Sequence, residues 1–391
     1  MKENVVNLYL NTSIQLVEQY IEEANKKFVP LNAFLKGFFK KHSKYGKRDR
    51  NNVSELVYAY FRVGNTFPKD KIEERITLGA FLCNSGSDNI LYFLCENKLD
   101  SYVPKKEVKD RIKDAAKHFK DFKAKNFFPF DIELSDGLSK EEYFHSFLQK
   151  PSTFIRMWGN MRERVIHDLQ KNEIAFEEVV SNENALRINS SKNLSDLDSW
   201  KKGYFEVQDL SSQQTAEFLH PKANDQWWDV CAASGGKSLL LLSKEKNIYI
   251  FASDVRKHIL ENYKERIKRT NFLNFETKII DLADSESYKD SINKKFDGII
   301  CDAPCSGSGT WHRTPENLFF FTPEKLEYYC DLQNQIVKNT LEYIKPGKPF
   351  IYITCSVFKK ENEGEMPAQS SSHQLINNFD KEADCMFIAT A

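Results

Sequence analysis

Apolar runs alternate with helical ones over roughly the last half of the chain, and that alternation constrains the fold more than any other feature. Runs at 227–230 (WWDV), 248–253 (IYIFAS), 276–280 (ETKII), 297–301 (DGIIC) and 349–354 (PFIYIT) read as strands, with helices expected at 237–245, 256–270 and 323–343. Such strands are apolar almost throughout rather than at every second residue, so both of their faces must be covered. That pattern predicts a parallel sheet with helices on each side, an α/β fold. A parallel sheet delivers the carboxyl ends of its strands to one rim, where ligands bind. The residues just after each strand are therefore the first place to look for chemistry.

The rest of the chain reads differently. Residues 1–125 look helical: Leu16, Tyr20, Leu31, Phe34, Leu35 and Phe38 recur at helical intervals, and Pro30 divides the run into two helices. Val53, Leu56, Val57 and Tyr60 continue the pattern, and 106–125 (KEVKDRIKDAAKHFKDFKAK) predicts a basic helix. Between them and the sheet, "KEEYFHSFLQKPSTFIRMWGN" reads as helix then strand, "RERVIHDLQKNEI" as helix and "ALRINSSKNL" as a short strand. The expected organisation is a helical domain at 1–135, a small α+β module at 136–202 and an α/β domain at 203–391. Residues 369–374 (QSSSHQ) form a low-complexity patch expected to be a surface loop.

Acidic and basic side chains balance at 56 each, so net charge selects no partner. Their distribution says more: Lys36, Lys40, Lys41, Lys44, Lys47, Arg48 and Arg50 face only Asp49 within that stretch. The N-terminal sequence lacks the long apolar core of a secretory segment, and no run approaches the eighteen or so apolar residues that span a membrane. The eight cysteines are dilute and unpatterned. A cytoplasmic, reducing location is expected, where a cysteine is buried filler, a metal ligand or a catalyst.

Three features at the predicted rim carry chemistry. First, "WWDVCAASGGKSLLLLSKE" at 227–245 reads as strand, tight small-residue loop and helix, with Cys231, Ala232, Ala233, Ser234, Gly235, Gly236 and Lys237 forming the loop. Glycines allow close backbone approach, and a helix start offers unpaired N–H groups to a ligand. Second, Asp254, Asp281 and Asp302 end three successive strands. Asp254 is placed to accept hydrogen bonds from ribose hydroxyls, and together the three favour a bound nucleoside. Third, Cys305 ("DAPCSGSGTWHRTPE") and Cys355 ("YITCSVFKKENE") follow strand ends at the same rim. Cys83, Cys95 and Cys330 sit in apolar helical settings and read as filler. Cys301, Cys305 and Cys355 match no closed zinc spacing, so no metal is expected.

Two thiols, an acid and a nucleoside cofactor suit one kind of reaction. Carbon 5 of a pyrimidine is a weak nucleophile until a thiolate adds to carbon 6, with an acid such as Asp302 serving the ring. A second thiol can help to reverse the addition. A nearby cation such as Lys237 lowers a thiol's pKa.

At these residues the chain resembles the Sun/RsmB family of RNA cytosine-carbon-5 methyltransferases. "DVCAASGGKS", "ASDVRKHIL", "DAPCSGSGTWHRTPE" and "YITCSVFKKENE" look like consecutive family motifs, "GYFEVQDLSSQQTAEFL" like the segment that introduces the catalytic domain. "LQKPSTFIRMWGN" is similar to the family's small preceding module, and "YGKRDRNNVSELVYAYFR" resembles the helical NusB-like RNA-binding domain of the ribosomal-RNA branch. The resemblance implies a Rossmann-like domain that uses S-adenosylmethionine. It places Cys231 to Lys237 around the methionine end, Asp254 on the ribose, Asp281 near the adenine, and Asp302 between the methionine amine and the target base. It makes Cys355 the nucleophile and Cys305 the residue that helps release product. Ser234 stands where the family usually has proline and Ser238 where threonine is common, and "DCMFIAT" replaces the usual final strand.

The resulting expectation is a monomeric methyltransferase acting on RNA, with small-subunit rRNA favoured over tRNA. Lys47, Arg48, Arg50 and Arg313 are the candidate phosphate contacts. In "QDLSSQQ" (208–214), Asp209 or Ser211 is expected to cap a helix. Three rivals stand beside it: DNA cytosine methylation, in which the Pro-Cys cysteine attacks; a non-catalytic ribosome-assembly factor; and an NAD-dependent dehydrogenase, which the Gly-Gly loop order disfavours.

Overall fold

A computed structural model describes residues 3–83, 94–95, 107–190, 192–284 and 288–391. The chain forms two compact units: residues 1–132, 139–150 and 310–322 make one, and 133–138, 151–309 and 323–391 the other.

The first unit is helical. Helices α1 (Glu3–Lys26), α2 (Leu31–Lys41), α3 (Lys47–Arg62), α4 (Ile72–Cys83), α5 (Val108–His118) and α6 (Lys140–Phe147) compose it, together with the short helix Pro315–Phe319. Pro30 separates α1 from α2 as expected, because its ring cannot continue a helix. Leu16, Tyr20, Leu31, Leu35, Val53, Leu56, Val57 and Tyr60 are buried, while Phe34 and Phe38 are half-buried. A fully buried guanidinium ties the unit together: Arg75 donates to the carbonyls of Tyr60 (2.9 Å), Phe67 (2.6 Å) and Gly64. The basic helix is shorter than expected, ending at His118; Lys106 lies outside the described residues.

The second unit holds two sheets. Strands β1 (Thr153–Met157), β2 (Phe176–Glu178), β3 (Ala185–Ile188) and β4 (Phe205–Val207) form an antiparallel sheet ordered β2-β3-β1-β4, with helix α7 (Arg162–Lys171) packed on it. The larger sheet comprises β5 (Gln226–Asp229), β6 (Tyr249–Asp254), β7 (Phe275–Ile279), β8 (Gly298–Asp302), β9 (Phe350–Thr354), β10 (Ser372–Asn377) and β11 (Cys385–Thr390). Its order is β10-β11-β9-β8-β5-β6-β7, parallel from β5 through β9, with β11 antiparallel to both neighbours. Helices α8 (Gly236–Lys244), α9 (Lys257–Lys268) and α10 (Pro323–Leu341) lie within two residues of the expected bounds.

The apolar runs are explained by burial on both faces. Adjacent residues point to opposite sides of a strand. Trp227, Ile250, Ile300 and Ile351 therefore join one core, while Trp228, Phe251, Ile299 and Phe350 join the other. The expected loop at 369–374 is a correction: β10 begins at Ser372 and pairs with β11 from Ser372↔Thr390 to Asn377↔Cys385. It is an edge strand with little burial, which polar residues tolerate and no apolar pattern announces.

The chain runs β5, β6, β7 to one side and returns with β8 and β9 on the other. The switch point lies between β5 and β8, the place where such sheets bind ligands. The loops after Asp229 and Asp302 meet there.

Candidate active site

The loop from Cys231 to Lys237 is held by its own backbone. Ala233 (φ +46°) and Gly235 (φ +86°) are left-handed, the second a conformation glycine takes freely. The Gly235 N–H donates to the Ala232 carbonyl (2.8 Å) and the Ala232 N–H to Ser253 on β6 (2.9 Å). A Cβ at position 235 would meet the Tyr263 ring at 2.8 Å. Below the loop, Ser238 donates its N–H and hydroxyl to Asp229 at 3.1 and 2.6 Å. Burial, helped by the charge of Asp302 and opposed by Ser238 and Lys237, pushes the Asp229 carboxyl up to about 7.

Ser234 has a partner of its own. Arg266 donates to its hydroxyl at 3.1 Å while pairing with the fully buried Glu206 at 2.7 Å. A fixed hydrogen bond thus restrains the position that lacks the family's usual proline.

Asp254 ends β6 almost wholly buried. One oxygen accepts the Arg256 N–H and Nε, each at 2.9 Å; the other accepts an Arg256 terminal nitrogen at 2.9 Å and the Ala233 N–H at 3.1 Å. Burial would raise this carboxyl, but the hydrogen bonds and charge of Arg256 and the Ala233 N–H bring it below its ordinary value. It is an ionised acceptor at the mouth of the loop.

Across the switch point, Lys237 Nζ lies 2.8 Å from Asp302 Oδ2 and 3.2 Å from the Ser212 hydroxyl. The Cys305 and Cys355 sulfurs are 3.3 Å apart, both residues only partly buried. The hydrogen bond to Cys355, then burial and the charge of Glu361, push the Cys305 thiol well up. Burial pushes the thiols of Cys231 and Cys301 up as well.

Sequence reasoning passed over Glu361, which joins the two cysteine loops. Its wholly buried carboxylate accepts the Ser306 N–H (2.6 Å) and the hydroxyls of Ser306 and Ser356 (2.5 Å each). Gln333 donates to it at 3.3 Å and to the Pro304 carbonyl at 2.9 Å. Ser306 follows Cys305 and Ser356 follows Cys355, so one carboxylate sets the register of both thiols. Its only signal in the sequence was its position in "TCSVFKKENE".

The other candidates are placed as follows. Asp281 is exposed in the turn after β7, accepting the Ala283 N–H at 3.0 Å. Asp209 caps the short helix Leu210–Gln214 through the Ser211 N–H, as the sequence suggested. Lys47 and Arg48 are exposed at the start of α3, and Arg50 donates to the Tyr45 carbonyl at 2.8 Å. Arg313 belongs to the helical unit, half-buried beside a buried His312. Among the described residues, no three histidine, cysteine or acidic side chains group to hold a metal, and no helix is long and apolar enough to cross a membrane.

A parallel sheet that turns antiparallel at β11, with its ligand loop at the switch point, defines a Rossmann-like methyltransferase fold. Solved structures share it. That of PH0851 aligns over 98% of both chains (TM-score 0.65, 18% identity), and a methyltransferase homologue from Pyrococcus horikoshii over 64% of this chain and 88% of that one (0.53, 20%). NSun6 from Pyrococcus horikoshii, solved with SFG, aligns over 62% and 91% (0.53, 19%).

Residues 216–384 match the family described as 16S rRNA methyltransferase RsmB/F. Ribosomal RNA small subunit methyltransferase B of Proteus mirabilis (strain HI4320) is 32% identical over 228 residues, 58% of this chain and 53% of that protein. The protein of that name from Shewanella oneidensis is 31% identical over 224 residues, 56% and 51%. The chain thus spans about half the length of the curated relatives it matches.

Proposed function

We propose that the chain is an S-adenosylmethionine-dependent RNA methyltransferase that methylates carbon 5 of a cytosine in small-subunit (16S) rRNA. The observation that carries this is the pair of sulfurs 3.3 Å apart in the loops that follow β8 and β9, at the same sheet edge as the Lys237–Asp302 ion pair. A hydride-transfer enzyme or a bare RNA-binding scaffold has no use for two adjoining, partly exposed thiols.

The loop suits the cofactor. Its left-handed residues and the start of α8 turn backbone toward the site, and a Cβ on Gly236 would meet only Gln208 Nε2 at 3.7 Å, so there is room. Cys231 to Lys237 would hold the methionine end, Asp254 the ribose, Asp281 the adenine side and Asp302 the methionine amine. When bound, S-adenosylmethionine supplies an electrophilic methyl group.

The chain's own groups do the rest. The Cys355 thiolate adds to carbon 6 of a cytosine flipped out of its stack, which makes carbon 5 nucleophilic. As the sulfur adds, ring nitrogen 3 takes up a proton from solvent, and Asp302, held by Lys237, accepts a hydrogen bond from that N–H. Once carbon 5 is methylated, water in the site takes its remaining proton, the pair left behind re-forms the carbon 5–carbon 6 double bond, and the carbon–sulfur bond breaks to release Cys355 as thiolate. Cys305, held as a thiol that bonds Cys355, serves this last stage. Lys47, Arg48, Arg50 and Arg313 would contact phosphates. Incubation of the protein with 16S rRNA and S-adenosylmethionine, followed by bisulfite sequencing, should reveal one protected cytosine. Methylated RNA with no protected cytosine would contradict the proposal.

A further inference from the structure

The second unit carries a cavity that the methyl-transfer site does not use. It has a volume of about 480 Å³ and opens among the loops that precede β6 and β7, at the opposite end of the sheet from the thiols. Trp158 and Phe272 contribute rings to its wall, Asn247 and Asn274 contribute amides, and Lys202 and Lys246 are exposed on it. The Lys246 ammonium lies 5.3 Å over the Trp158 ring. Asn247 and Asn274 also line an adjoining cavity of about 380 Å³, bounded on its far side by Lys294.

The chemistry of this track is one-sided. Among the described residues, none that line either cavity is acidic, in a chain whose acids equal its bases. Of the carboxylates nearby, Glu206 is neutralised by Arg266 and Arg269, and Glu245 accepts the Asn247 N–H at 2.7 Å at the cavity's edge. Lys202 and Lys246 pair with no carboxylate among the described residues. Lysines beside aromatic rings are what single-stranded nucleic acid requires, since rings stack bases of any sequence and ammonium groups track phosphates. The amide NH2 groups of Asn247 and Asn274 donate to Asn224 and to the Ile248 carbonyl, which leaves their oxygens to accept from the amino groups of a base. The volume falls in the range of small-ligand sites, which accommodates a nucleotide.

We infer that this track binds a single-stranded stretch of the RNA substrate, with one base in the larger cavity and its flanking phosphates on Lys202 and Lys246. The inference rests on the RNA reading above. It extends the contact surface beyond the catalytic rim to the far end of the sheet.

The test uses the full chain and a fluorescent single-stranded RNA decamer without cytosine, so that binding is measured apart from methyl transfer. Each phosphate contact on a single strand adds about 0.7 to the slope of log K against log salt. The double variant Lys202→Ala/Lys246→Ala should therefore lower the slope by about 1.4, while methylation of a short cytosine-containing fragment stays within about twofold. Ultraviolet crosslinking of the unaltered protein should map to peptides around 246–247 and 270–274. The inference is overturned if the slope is unchanged, if Lys257→Ala/Lys338→Ala lowers it equally, or if crosslinks avoid both peptides. It is also overturned if inorganic phosphate competes as well as the decamer, which would leave a simple anion site. Absence of methylation by the unaltered protein with the crosslinks intact would instead count against the catalytic proposal.

Discussion

Glu361 accepts two hydrogen bonds from Ser306, its backbone N–H on one oxygen at 2.6 Å and its hydroxyl on the other at 2.5 Å. That bidentate grip, shared with Ser356, is what brings Cys305 and Cys355 to one place. Removing the carboxylate strands several buried donors, each costing about 1–3 kcal/mol. Glu361→Ala should lose about 3 kcal/mol in denaturant unfolding and at least tenfold in kcat. Glu361→Gln, which keeps the volume and one carbonyl acceptor, should recover most of the stability but less of the rate. Equal recovery of both would mean that Glu361 matters only for folding.

Gly235 and Gly236 should respond differently to alanine. At position 235 the new methyl meets the Tyr263 ring at 2.8 Å on a backbone with φ +86°, so Gly235→Ala should lower stability by about 1–3 kcal/mol. At 236 the only neighbour is 3.7 Å away, so Gly236→Ala should unfold like the unaltered protein. If the loop cradles the cofactor, Gly236→Ala should still weaken S-adenosylmethionine binding several-fold by calorimetry.

Arg256 occupies the acceptor sites on Asp254 that a ribose would need. If Asp254 holds the ribose, the cofactor must displace the guanidinium, and half-exposed pairs of this kind are worth about 1 kcal/mol. Arg256→Ala should tighten S-adenosylmethionine binding by up to about fivefold, whereas Asp254→Ala should weaken it at least tenfold. Weaker binding by Arg256→Ala would mean that the arginine itself holds the cofactor.

Asp229 titrates near 7 in the folded chain, against an ordinary value of 3.8 that the unfolded chain restores. Between those values the folded state binds more protons than the unfolded, so this group makes stability fall as pH rises from about 4 to 7. Asp229→Asn removes that slope. The variant's stability relative to the unaltered protein should increase across that window and level off above it, as read by urea unfolding at each pH.

The sheet was legible in the sequence because burial on both faces leaves unbroken apolar runs. β5 through β9 and the three helices α8, α9 and α10 fell close to their expected places for that reason. Edge elements were not: β10 is largely exposed, and β2 and β4 are too short to establish a period. The loop motif at the thiols was readable from residue type, but the clamp through Glu361 depends on contacts between residues 306 and 361 that no local pattern encodes. The motif "DAPCSGSGTWHRTPE" also divides between units, its residues from Thr310 onward folding with the helices. There Trp311 packs among Phe128, Phe147 and Phe321, a destination set by aromatic packing rather than by spacing.

The division of labour between the two sulfurs is tested most directly by trapping the covalent RNA adduct on denaturing gels, with cofactor and a 16S rRNA fragment present. Cys355→Ala should form no adduct, and Cys305→Ala should accumulate one that the unaltered protein resolves. An adduct that persists in Cys355→Ala and vanishes in Cys305→Ala would reverse the roles, and no adduct with any variant would contradict covalent catalysis by this pair.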